Sequence, residues 1–352
     1  MVNTLNQKKD IYWINAIKAL CMIFVFFGHS ELYYGYYIGM VNNFRLTFNV
    51  NAFFFISGYL LFWKQLSSPR IDANTRDYIK NGAKNTIVNV LFKIAIPSII
   101  FSIIVFFPKF ILRGEDFTIN DFIQDTIGGT TFWFTSALVL AEFILIGLFA
   151  TRIKSIWFYT IICLLLTLIG NYLFLNNINI VSWSSSFPWH YKQALICMIY
   201  IALGGLYQKY ESVIKRVLNK YVISILVIMF VISIVFFSEH FKYVTSLCEM
   251  NVLGVLITIL STVLLIELCK STPEFKILSF IGQNTMGYYF LSGAVPSIVA
   301  MIVLKFIPDL HWWMLLLIWV GNLIIATGLV MIMNKYFPWL FDLRLLKKQK
   351  NN

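Results

Sequence analysis

An imidazole, an ammonium and a carboxamide set inside an apolar run are the first chemistry this sequence offers. Residues 11–30 read IYWINAIKALCMIFVFFGHS, and Asn15, Lys18 and His29 interrupt the hydrocarbon. Polar groups at membrane depth are costly, so they are functional candidates by default. Lys18 and His29 are eleven residues apart. On a helix with about 100° and 1.5 Å per residue, that is three turns plus roughly 20°, which puts both on one face about 16 Å apart. Asn15 lies one turn below Lys18 on a neighbouring part of that face. An imidazole with an ordinary pKa of about 6.5 suits general-base work. A cation low on the same helix suits a long anionic ligand whose reactive end lies far from its charges, and Gly28 beside His29 leaves room for that end to approach. The structural alternatives are a Lys18 that snorkels to the nearer surface and a packing His29 satisfied by a backbone carbonyl.

The element that must position these groups is a membrane span, because about 20 apolar residues cross roughly 30 Å of hydrocarbon as a helix. The composition agrees. Of 352 residues, 59% are hydrophobic and 12% charged, with a mean hydropathy of +0.77, whereas soluble domains carry about 25% charged residues. The expected class is an all-α polytopic membrane protein. The first apolar run is too long for a cleavable signal peptide and has no small-residue cleavage site, so none is expected. Cys21, Cys163, Cys197, Cys248 and Cys269 are odd in number and lack paired spacing, which argues for neither a disulfide nor a metal site. The net charge of +12 reads as basic cytoplasmic loops rather than nucleic-acid binding.

About ten spans are expected, near 11–32, 44–63, 86–107, 132–150, 156–176, 192–208, 220–238, 246–268, 277–304 and 311–335. Residues 1–10 and 341–352 are then polar tails around one transmembrane domain at 11–340. Lys and Arg fall on one side throughout: Lys8 and Lys9, five cations between Lys64 and Lys84, Arg152 and Lys154, a cluster at 209–220, Lys270 and Lys276, and the C-terminal run from Arg344. The opposite side carries Glu115, Asp116, Asp121 and Asp125. Both termini are therefore expected in the cytoplasm, with the protein in the inner (plasma) membrane.

With the spans placed, five motifs resemble the acyltransferase-3 family of integral membrane O-acyltransferases. They are W-I-N-A-I-K with G-H-S in the first span; Phe53-Phe54-Phe55-Ile56-Ser57-Gly58-Tyr59 in the second; Trp133-Phe134; Phe187-Pro188-Trp189-His190-Tyr191 followed by A-L-G-G-L-Y at 202–207; and I-G-Q-N-T-M-G-Y-Y at 281–289. The pattern is most similar to the branch that acetylates sugars, fucose 4-O-acetylase-like. The chain departs from it where Asn15 stands for an acid, Asn49-Val50-Asn51 for His-Met-Pro, and Ser292 or its neighbour for a His. The resemblance implies transfer of an acetyl group from acetyl-CoA, with succinyl-CoA as another donor, to a sugar hydroxyl in a surface glycan or its lipid-linked precursor. It implies His29 as general base, with an acyl-His relay as a variant. It also implies that Lys18, Asn15 and cations among Arg70, Arg76, Lys80, Lys84 and Lys93 hold the donor. Ser57, Trp133, Glu142, Trp189 and Asn284 are then candidates on the acceptor side, and no metal is implied. Three bland readings stand beside these. The 64–85 loop could contact anionic lipid, Glu142 could pair with Lys93, and the Trp/His/Tyr loop could be an interfacial aromatic belt. A homodimer is among the arrangements left open. The rival class is a transporter or flippase with a pore lined by Lys18, Glu142 and His29. A non-catalytic assembly protein would leave the polar face of the first helix hard to explain.

Overall fold

The computed structural model describes residues 2–66, 82–113, 118–179, 188–236, 252–307 and 310–349, and every regular element among them is helical. In chain order these are α1 (Val2–Tyr34), α2 (Gly39–Leu46), α3 (Asn51–Leu66), α4 (Lys84–Val90), α5 (Ile96–Arg113), α6 (Ile119–Asp125), α7 (Trp133–Phe149) and α8 (Ile156–Leu175). They are followed by α9 (Tyr191–Ile196), α10 (Met198–Val217), α11 (Lys220–Phe236), α12 (Val252–Ser271), α13 (Lys276–Gln283), α14 (Thr285–Phe306), α15 (Trp312–Tyr336) and α16 (Arg344–Gln349). Leu91–Ala95 forms a π-helical turn between α4 and α5.

Seven stretches are long and apolar enough to cross a membrane: Tyr12–Tyr34, Gly39–Gln65, Lys84–Pro108, Ile156–Leu175, Val252–Ser271, Thr285–Phe306 and Trp312–Tyr336. An eighth is counted if Tyr191–Val217 and Lys220–Phe236, bent by 107° at a short break, form one span, and α7 is a shorter apolar helix. Each span expected from the sequence thus has a helical counterpart, although two share a bent pair and one is short. The bend has a local cause: the Asn219 side chain accepts from the backbone N–H groups of Tyr221 and Val222 at 3.0 and 3.1 Å, capping α11. The N-terminal residues are helical, since α1 begins at Val2 and continues into the first span.

The chain divides into two compact units. One comprises Met1–Phe53, Val217–Ser246 and Asn251–Phe337. At its centre α1 is packed by α12, α13, α14 and α15. The packing around α13 is close enough to need a glycine, because a β-carbon on Gly282 would lie 2.0 Å from the Asn15 carbonyl oxygen. Higher up, Trp319 donates its indole N–H to the Ile23 carbonyl at 2.9 Å. Asn322 donates to Ser30 at 3.0 Å. The rings of Phe24, Phe44, Phe48 and Trp319 close the space beside α2. These contacts fix the rotation of α1, and hence the direction of every side chain it carries.

The second unit comprises Phe54–Arg216, Leu247–Met250 and Pro338–Asn352. Within it α3 and α10 cross with their backbones touching: a β-carbon on Gly58 would lie 2.1 Å from the Ile201 carbonyl oxygen, and one on Gly204 2.0 Å from that of Phe55. Small residues permit such an approach. Phe62, Phe149 and Tyr159 pack edge to face beside the crossing. The basic C-terminal segment is partly pinned here, with Arg344 donating to Asn89 at 2.9 Å and lying over the Phe92 ring.

Candidate active site

The first unit holds Asn15, Lys18, His29 and Asn284. Because α1 is unbroken through residues 15 to 29, the shared face of Lys18 and His29 stands. Asn15 is buried, at 6% exposure. Lys18 is half-buried, and among the described residues it makes no hydrogen bond or ion pair. The His29 ring is half-buried and stacks on Tyr33, with centroids 6.2 Å apart at 20°. Its Nδ1 is buried and, among the described residues, has no hydrogen-bond partner. Asn284 is committed elsewhere: its amide donates to the Phe280 carbonyl at 2.8 Å and its oxygen accepts from Asn334 at 2.6 Å. It fastens the break between α13 and α14.

Two charged residues that the sequence reading passed over stand next to His29. Glu31 is fully buried one helical turn beyond Gly28. Its Oε2 lies 3.5 Å from Arg45 Nε of α2, and its Oε1 accepts from the Ile38 N–H at 2.7 Å. Arg45 also donates to Asn42. The space above Gly28, expected to admit a thioester, is taken by the Arg45 guanidinium, whose Cζ would lie 2.5 Å from a β-carbon there. The Glu31 carboxylate is thus spent on Arg45 and a backbone amide, and does not orient the imidazole. A sequence signal for this pair existed: an acid and a base fourteen residues apart flank the short polar gap between the first two spans.

The second unit holds Ser57, Lys84, Lys93, Trp133, Glu142 and Trp189. Ser57 donates to Glu142, and both are buried. Glu142 therefore pairs with a hydroxyl, not with Lys93, which is exposed on the π-helical turn. Lys84 is exposed at the start of α4. Arg70, Arg76 and Lys80 lie outside the described residues. Trp133 and Trp189 both stand beside His190, the Trp133 and His190 rings lying 6.2 Å apart. The Trp189 indole donates to the Ile127 carbonyl at 2.8 Å. Tyr191 is buried rather than exposed, and its hydroxyl donates to the Ile178 carbonyl at 3.0 Å. Trp189 and His190 both occupy the left-handed region, with φ of 50° and 49°, a conformation that costs of order 1–3 kcal/mol at a bulky residue and clusters at functional sites. Both His190 ring nitrogens are buried without a hydrogen-bond partner. Burial pulls this imidazole down to about 4, so it is neutral at physiological pH. Trp189 also lines a cavity of about 20 Å³ with Ser98, Ser102, Thr135 and Ser136, room for about one water.

Among the described residues no group of three or more His, Cys, Asp or Glu could hold a metal ion, and the four described cysteines are free and buried. The Acyltransferase domain of the Acyl_transf_3 family matches residues 11–335. No curated protein and no solved structure matches the chain.

Proposed function

The chain belongs to the acyltransferase-3 family of membrane acyltransferases, and from that premise we propose that it transfers an acetyl group from acetyl-CoA to a sugar hydroxyl of a surface glycan or its lipid-linked precursor. The observation that carries this reading is the polar face of α1. An unpaired, half-buried ammonium and an imidazole with one free nitrogen lie on one side of one helix, about 16 Å apart. Lys18 would attract the anionic half of the donor. His29 would take the proton of the acceptor hydroxyl as its oxygen attacks the thioester carbonyl. The oxygen–carbon bond forms, the carbon–sulfur bond breaks, and the departing thiolate takes that proton back from the imidazolium. Positioned proton transfer of this kind contributes about 10²–10⁴ in rate. The sugar class is supported by the neutral, aromatic character of the Trp133–His190–Trp189 group, since ring faces and uncharged donors suit a polyhydroxylated ligand. Both termini would face the cytoplasm, where the donor is made.

The test is incubation of purified protein with labelled acetyl-CoA and a glycan acceptor, scored for free thiol and labelled sugar, with succinyl-CoA run in parallel. Acceptor-dependent thiol release from acetyl-CoA is expected. Release from succinyl-CoA alone would reassign the donor, and release from neither would end the reading.

A further inference from the structure

Arg45 is tied on two sides and, among the described residues, has no acceptor on a third. Nε faces the Glu31 carboxylate at 3.5 Å and Nη2 donates to the Asn42 side chain. Glu31 is itself held by the Ile38 amide, so the guanidinium plane is set by a second layer of contacts. Nη1 lies over Gly28, 2.6 Å from where a β-carbon would stand, and among the described residues it meets no acceptor. A guanidinium carries five N–H donors and no acceptor, so a tie between α1 and α2 leaves this edge unspent. It points across Gly28, the residue that precedes His29. Gly28 is what admits it, since any side chain there would displace the guanidinium.

We propose that Arg45 is a second catalytic group, whose Nη1 binds the thioester carbonyl oxygen and holds the negative charge that develops on it, with Glu31 and Asn42 as positioning residues. The proposal rests on the acyl-transfer reading above. As the acceptor oxygen bonds to the carbonyl carbon and His29 takes its proton, the carbonyl π pair moves onto oxygen beside Nη1. When the pair returns, the carbon–sulfur bond breaks, and the thiolate leaves with that bond's electrons and the proton from His29. A donor fixed in advance at the site of developing charge is among the largest single contributions to such reactions.

Arg45→Lys tests this, because the ammonium keeps a charge beside buried Glu31 but loses the planar fork. A double variant, Glu31→Gln with Arg45→Gln, removes both charges of the pair together and covers the case in which Arg45→Lys does not fold. Turnover is expected to fall about 10²–10³-fold in either variant, the usual cost of one oxyanion donor, with the donor KM changed far less. The decisive readout uses two inert donors: acetonyl-CoA, which keeps the carbonyl, and S-propyl-CoA, which lacks it. Wild type should bind the first more tightly, and the variants should lose that preference. Turnover near wild type overturns the proposal. So does reduced turnover with the carbonyl preference intact, which marks a structural tie. A wild-type protein that releases no thiol from any CoA thioester overturns the acyl-transfer reading and this proposal together.

Discussion

At the scale of single residues, the partners a side chain has or lacks decide what its removal reports. His29 has one ring contact and no hydrogen bond on Nδ1, so His29→Ala should leave folded yield and CoA binding intact while transfer falls about 10²–10⁴-fold. A packing histidine would give the opposite pattern, lower thermal stability with turnover kept, and both can be measured on one preparation. Among the described residues Lys18 makes no ion pair, so Lys18→Met removes only a poorly solvated charge. It should weaken CoA binding and flatten its salt dependence without lowering the melting temperature; unchanged CoA affinity would remove Lys18 from the donor site. Ser57→Ala differs, because it leaves a buried Glu142 oxygen without its donor, a loss of about 1–3 kcal/mol visible as a drop in melting temperature. Glu142→Gln keeps an oxygen to accept from Ser57 and should lose less. Asn15, Lys18 and His29 were legible in the sequence because their helical spacing puts them on one face. Glu31 and Arg45 carried only the weaker signal of flanking one gap, since charges at the ends of apolar runs read as solvated flanks until the fold pairs them. The Ser57–Glu142 pair joins residues 85 apart, and no local pattern encodes that.

At the scale of elements, apolar length was legible and most breaks were not. The cations at 209–220 already separated the two arms that bend by 107° after Val217, but hydropathy is blind to the π-helical turn at Leu91–Ala95 and to the separation of α13 from α14 at Asn284. The break at Asn284 is fastened by amide hydrogen bonds inside apolar sequence. Gly58 admits a close helix approach, and the structure supplies the partner helix, α10, with Gly204 at the same crossing. Since the two β-carbon positions already lie about 2 Å from facing carbonyls, neither helix can yield to a side chain without separating. Gly204→Val should therefore cost at least the 1–3 kcal/mol typical of overpacking. It should lower the yield of monodisperse protein more than Gly147→Val, whose added β-carbon meets nothing within 4 Å. Equal yields from the two variants would show that the crossing tolerates separation.

At the scale of the whole molecule, orientation depends on how the uncertain crossings are counted. The seven unambiguous stretches give an odd number. Adding α7 and one crossing for the bent pair stays odd. One crossing of the bent pair without α7, or α7 with two crossings, gives an even number, and only the second also keeps Arg152, Lys154 and the 209–220 cations on the cytoplasmic side. The charge asymmetry is broad: the acidic residues Asp121 and Asp125 lie on or beside α6, and the cations gather in the loops that alternate with it. Reversing the chain would put all of those cations on the outer face. We therefore expect both termini to be cytoplasmic, with α7 and both arms of the bent pair each crossing. Single cysteines at Asn74, Asn120 and Asn351, in a background with the five native cysteines replaced, decide it with a membrane-impermeant maleimide. Position 120 should label in intact cells, and 74 and 351 only after permeabilisation. Labelling of 351 but not 74 from outside would mean that either α7 or one arm of the bent pair fails to cross, leaving the first part of the topology standing and inverting the C-terminal part. Labelling of 74 from outside would invert the first half as well, and would take the basic loop away from a cytoplasmic donor.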